Sequence, residues 1–130
     1  MKSAVLPLVL GAALACAVAR VPDWVENPPR ESGYRYASGR STSASRVDAR
    51  EAAIHSAVRD LALQKGVYVE ATIEVVETST GVNAVIHSKQ GTSHTISGIE
   101  IVKTQQVPRA ESSLFEYCVL LRISEQELFR

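Results

Sequence analysis

The hydrophobic pattern of the chain changes period several times, and each change predicts an element. Ala4 to Val18 is a 15-residue apolar run that follows Lys2 and ends in small residues. From Arg20 to Ser32 the pattern breaks up: Pro22, Pro28 and Pro29 surround Trp24 and Val25. Proline fixes φ and removes a backbone donor, so this stretch predicts an extended arm. Tyr34, Tyr36 and Ser38 then alternate with Arg35 and Ala37, as in a short strand, and Gly39 is the residue expected to let the chain turn. The polar string Ser41 to Ser45 reads as loop.

Helical spacing follows. Val47, Ile54, Val58, Leu61 and Ala62 fall on one side, with Ala53 and Ala57 beside them. Ser45 and Asp48 have the form of a capping box, and Gly66 is a stop signal, so the helix is predicted from about Arg46 to Lys65. From Val67 to Val76 the period is two, with Val67, Val69, Ala71, Ile73 and Val75 on one side. Thr78 to Gly81 turns the chain. Asn83 to Ser88 is short enough to be either a strand or a helical turn, and Lys89 to Ser93 is a further turn.

His94 to Thr104 predicts another strand. It sets Ile96, Gly98, Glu100 and Val102 against Ser97, Ile99, Ile101 and Lys103, with Gly98 a candidate bulge. Gln105 to Ser113 reads as a nine-residue polar loop. Leu114 to Ile123 carries the strongest core signal, with Phe115, Tyr117, Val119, Leu121 and Ile123 on one face. Ser124 and Glu127 form a second capping box, which opens a short C-terminal helix. One strand, one helix, then strands joined by hairpin-like links predict an α+β domain: a mainly antiparallel sheet of four to five strands with one long helix packed on one face. Residues 1–15 read as a signal peptide, 16–33 as an N-terminal arm and 34–130 as a single domain.

Composition narrows the function. The 130 residues carry 14 basic and 14 acidic side chains and are 45% hydrophobic, which excludes a disordered tail. Two Cys are too few for a disulfide scaffold, and a formal charge of zero lacks the footprint of a nucleic-acid binder. Arg30, Arg35, Arg40, Arg46 and Arg50 do gather near Tyr34 and Tyr36, but an exported chain makes that cluster a solvated rim. The N-terminal apolar run is too short for a membrane-spanning helix and has the form of a secretory signal.

That signal has two candidate exits. Ala17-Val18-Ala19 fits ordinary signal peptidase and would release a soluble chain beginning at Arg20. Ala13-Leu14-Ala15-Cys16 resembles the bacterial lipobox, with Ala13 where Leu is preferred; there the chain is cut before Cys16 and the sulfur is lipidated. The lipidated reading is preferred, and Ala17 after the Cys resembles the pattern of outer-membrane lipoproteins. Several acyl chains on one residue hold a protein durably in a bilayer.

Signals for chemistry are sparse. No P-loop, dinucleotide-binding glycine motif, HExxH or CxxC pair occurs. His55 sits between Glu51 and Arg59 at helical spacing and reads as a surface histidine. His87 and His94 flank a turn and could seed a metal site if they met across a hairpin, with no carboxylate between them to complete it. Glu70 and Glu74 on one strand face read as solubilising, and Cys118 as an inert, half-buried thiol. No catalytic residue, metal or cofactor is expected, and Trp24 is the candidate for partner contact.

Pro22-Asp23-Trp24-Val25 with Pro28-Pro29, Tyr36-Ala37-Ser38-Gly39, the alanines 49, 53 and 57, Ser97-Gly98 and Tyr117-Cys118-Val119-Leu120 together resemble the Lpp-twenty-type bacterial lipoproteins. They are similar in pattern to the N-terminal domain of flagellar assembly protein T. The resemblance implies a small lipid-anchored α+β envelope domain, linked in some members to flagella or the cell surface, without established catalytic residues. The expected function is therefore non-enzymatic binding to the membrane and to other envelope proteins. The alternative is a small soluble periplasmic hydrolase or metal-binding protein using His87, His94 and Glu74.

Overall fold

A computed structural model describes residues 21–67, 72–89, 91–108 and 113–130. Its centre is the long helix α2, Arg46–Lys65; a one-turn helix, α1 (Asp23–Glu26), precedes it. Ser45 caps α2 as its sequence requires, its hydroxyl accepting from the Asp48 N–H at 3.3 Å. Gly66, in the left-handed region with φ 92°, ends it; Gly66 N–H bonds Leu63 O and Val67 N–H bonds Ala62 O. Ala49, Ala53, Ile54, Ala57, Val58, Leu61 and Ala62 are buried. Val47, expected in that stripe, is instead 63% exposed. It belongs to the first turn, and the buried face begins only at Ala49.

Five strands form one antiparallel sheet: β1 (Tyr34–Ser43), β2 (Thr72–Thr78), β3 (Gly81–His87), β4 (Ser93–Val107) and β5 (Phe115–Ser124), in the order β1-β5-β4-β3-β2. A four-residue helix, α3 (Glu125–Leu128), follows, capped by Ser124, whose hydroxyl accepts from Glu127 N–H. The fold is thus the expected α+β arrangement, with α2 packing against the sheet.

Gly39 does not turn the chain. It lies inside β1 opposite Val119, on the side facing α2, and the strand runs on through Ser41, Thr42 and Ser43 to pair with Phe115. A β-carbon at position 39 would overlap the Ala53 carbonyl oxygen and stand 2.8 Å from Ala57 N. The missing side chain lets the Ala53–Ala57 stripe rest directly on the strand backbone. The polar string 41–43, read as loop, is drawn into the sheet because β5 supplies a full row of partners.

β4 corrects a second expectation. Val82 pairs with Ile99 and Ala84 with Ile96, so two steps along β3 match three along β4, and the extra residue falls at Ser97-Gly98. Gly98 has φ +81°, the geometry a bulge asks for. The bulge puts Ile96 and Ile99 on the same buried face, where uninterrupted alternation separates them. A second extra residue lies at Val102, between the pairs Ile101–Leu121 and Lys103–Leu120. β4 also continues through Val107, opposite Glu116, so the predicted nine-residue loop is shorter than its composition implied.

Asn83 to His87 is a strand, and the β2–β3 hairpin turns at Ser79-Thr80. The part of the Val67–Val76 prediction at residues 68–71 lies outside the described residues. One cluster joins α2 to Ile73, Val82, Ala84, Ile86, Ile96, Ile99, Val119, Leu121, Ile123 and Leu128. α2 contacts β1 and β5 most, and also β2 at the opposite edge. The sheet therefore curls around the helix.

Arg50 of α2 and Glu77 of β2 close that curl with a two-pronged ion pair, at 2.8 and 2.5 Å. Hydrogen bonding to Arg50 holds the Glu77 carboxyl below its ordinary range, and Glu77 in turn raises the Arg50 guanidinium. A lowered carboxyl contributes stability above its unfolded titration range and loses it as pH falls through the folded value. Both side chains are part-exposed, which limits the pair to about 1 kcal/mol or less. Urea unfolding should therefore show Glu77→Gln destabilised by up to about 1 kcal/mol at about pH 7 and indistinguishable from the parent chain at about pH 2.

Candidate functional site

The face of the sheet turned away from α2 carries the densest polar organisation. Antiparallel partners share a face, so Tyr36 opposite Arg122, Ser38 opposite Leu120 and Arg40 opposite Cys118 form one row across β1 and β5. The N-terminal segment lies on this face. α1 contacts β1 and β5, and the Ser38 hydroxyl donates to Val25 O at 2.5 Å. The segment is not wholly extended, as its prolines predicted. Pro22 opens α1 and Asp23 occupies its first turn, while the chain leaves the helix at Asn27, ahead of Pro28-Pro29. Trp24 is half-buried in α1.

Arg122 is the centre of the cluster. Its guanidinium lies 4.6 Å from the Tyr34 ring centroid and donates to Glu100 at 3.1 and 2.8 Å and to Glu31 at 3.3 Å. Glu31 also accepts from the Tyr36 hydroxyl at 2.9 Å. Hydrogen bonding to Glu100 above all, then to Tyr36, keeps Arg122 firmly protonated. Glu31 thus ties the arm to two strands at once.

Beside this tie, along the outer edge of β1, runs an open groove of about 620 Å³. Pro28, Pro29 and Arg30 wall it on one side; Tyr34, Arg35 and Tyr36 form its strand side, and Gln64 reaches in from the end of α2. Gln64 Nε2 donates to the Tyr36 carbonyl at 3.0 Å and to Asp60 at 3.2 Å. Arg35 donates to Glu125 at 3.2 Å and stacks over Phe129. The Tyr34–Tyr36 alternation was visible in the sequence as a short strand, and the arginines beside it read as a solvated rim. Gln64, Glu31 and Arg122 carried no signal, because only the pairing of β1 with β5 and the return of the arm bring them together.

The histidines are not gathered. His87 pairs with Ser93 and Ile86 with His94, so His94 belongs to the row of the buried Ile86 and His87 to the opposite face. The approach of the two histidines across the hairpin, which alone could have seeded a metal site, does not occur. His87 instead bonds Ser93 Oγ through Nδ1 at 3.1 Å and faces Glu74 at 3.6 Å. This serine–histidine–glutamate row is open to water, with His87 44% and Glu74 66% exposed. His55 lies on the outer surface of α2, and Glu70 lies outside the described residues. Among the described residues no group of three His, Cys, Asp or Glu side chains is placed to hold a metal ion.

Cys118 is fully buried, not half-buried. Desolvation pushes its thiol up, the Glu116 carboxylate adds to this, and Arg40 opposes it. A thiol reagent at neutral pH is expected to leave Cys118 unmodified in the native chain and to modify it fully once denaturant is added, as followed by mass.

No helix among the described residues is long and apolar enough to cross a membrane. Comparison of the chain with protein-family models, with curated proteins and with solved structures finds no match in any of the three.

Proposed function

We propose that the protein is an outer-membrane lipoprotein, acylated on Cys16, whose single domain acts as a non-enzymatic docking module for other envelope proteins. The observation that carries this reading is the position of the groove. Val21, the first described residue, is five positions after Cys16, and the chain reaches the fixed arm and the groove at Pro28 within a few residues more. Five extended residues span at most about 18 Å, so an acylated Cys16 holds the domain against the bilayer surface. The groove edge is then displayed beside the membrane. Membership of the Lpp-twenty-type family is part of the same proposal, carried by the strings named above.

A small periplasmic hydrolase is the second reading, favoured by the Ser93–His87–Glu74 row. Fractionation of producing cells separates the two. Cys16→Ser should move the protein from the membrane to the soluble fraction and abolish its contribution to the envelope, while His87→Ala with His94→Ala should change neither. Loss of function in the histidine variant, with membrane attachment intact, would favour the hydrolase.

A further inference from the structure

We infer that the groove takes an extended acidic peptide segment of a partner protein, added as a further strand along β1; this deepens the docking reading above and rests on it. Among the described residues β1 is the end strand of the sheet and pairs only with β5. In an antiparallel strand alternate residues direct both backbone groups to the same side. Gly33 O accepts from the Glu125 N–H at the end of β5, whereas the Tyr34 N–H donates to Glu31 O, so Tyr36, Ser38 and Arg40, in the phase of Tyr34, present their backbone groups to the outer edge, where the Tyr36 carbonyl accepts from Gln64. The groove lies along this edge beside Tyr34, Arg35 and Tyr36. The Tyr34 N–H is taken by the Glu31 carbonyl at 3.1 Å, so the positions open to an incoming backbone begin at the Tyr36 N–H.

The Gln64 amide occupies part of the edge without sealing it. The same nitrogen that bonds Tyr36 O also bonds Asp60, so it keeps a partner when an incoming N–H takes the Tyr36 carbonyl. The prolines at 28 and 29 form the opposite wall; Pro has no N–H to compete for the strand.

Charge decides the class of peptide. The groove is lined by two arginines and one glutamate. Glu31 is already engaged by Arg122 and the Tyr36 hydroxyl. Arg35, which also lines the groove, is paired through Nε with Glu125 and is 42% exposed, so Arg30 supplies the uncompensated charge. Arg30 is exposed and has no ion-pair partner among the described residues. A strand running here meets guanidinium groups at its flank, so carboxylate side chains on alternate positions match it and ammonium side chains do not.

The test uses the mature full-length protein in detergent and a fluorescein-labelled peptide of alternating Glu and Thr, about ten residues long, with a Lys-Thr peptide as its counterpart. Anisotropy should rise saturably with the acidic peptide only. Arg30→Glu should weaken that binding at least about fivefold, whereas Arg59→Glu, on the outer face of α2, should not. Amide exchange should slow at Tyr36, Ser38 and Arg40. Equal binding of both peptides, no binding, displacement by an anionic polysaccharide with no slowing in β1, or protection confined to β2 would each overturn the inference. None of these outcomes bears on acylation of Cys16, which is read separately by mass.

Discussion

Replacing Gly39 by alanine is expected to destabilise the domain by about 3 kcal/mol, at the upper end of what a single overpacked methyl costs. The neighbours that a β-carbon would meet are backbone atoms, Ala53 O and Ala57 N, with no flexible side chain to move aside. Relief requires α2 and β1 to separate, and α2 contacts β1 more than any other strand. The thermal midpoint should fall by roughly 10 °C or more. Gly66→Ala is the control: it meets no atom within 4 Å and carries only the strain of a positive φ, a cost of about 1 kcal/mol. Equal losses at the two positions would show that close helix–strand contact is not what position 39 supplies.

Arg40→Ala should cost about 2 kcal/mol. Its partner, Glu116, is only 4% exposed and is bonded by Arg40 at 2.8 and 2.7 Å. Removing the cation strands a buried carboxylate, which for fully buried pairs costs about 3–5 kcal/mol. Arg40 itself is 49% exposed, so water can partly replace it and the loss is smaller. Adding Glu116→Gln removes the charge that needed neutralising. The double variant should therefore be more stable than Arg40→Ala alone, by about 1 kcal/mol in denaturant titrations. A double variant worse than either single one would mean that the two side chains act through packing and not through charge.

Local signals in the sequence placed the helix well. Ser45 and Asp48 act within the first turn of α2 and Gly66 closes its last, so each signal is local and depends on nothing distant. The two capping boxes and the β5 alternation were legible for the same reason. Residues whose state is set by partners were not. Ser41-Thr42-Ser43 is polar everywhere and becomes strand only because β5 lies beside it. Ile96 and Ile99 share a face only because Gly98 adds a residue to β4. Glu116, Cys118 and Leu120 are buried together with the opposite row of β5, since that strand is flanked by β1 and β4 and faces the arm's side of the sheet.

The groove shows the same division. Tyr34, Arg35 and Tyr36 are consecutive and could be noticed as a cluster, but the groove also needs Gln64 from the helix end and Pro28 to Glu31 from the arm. Those segments meet only when β1 is already paired and Glu31 has reached Arg122. His87 and His94 illustrate the reverse case. Their spacing around a turn invited a shared site, and the register of β3 on β4 sends them to opposite faces.

The lipid tether is what turns a small curled sheet into a membrane-displayed docking surface, and the intact mass of the mature protein isolated from its native host reads it directly. The account predicts a chain whose first residue is Cys16, heavier than its amino-acid sequence by the mass of attached acyl groups. An unmodified chain beginning at Arg20, recovered from the soluble fraction, would contradict it.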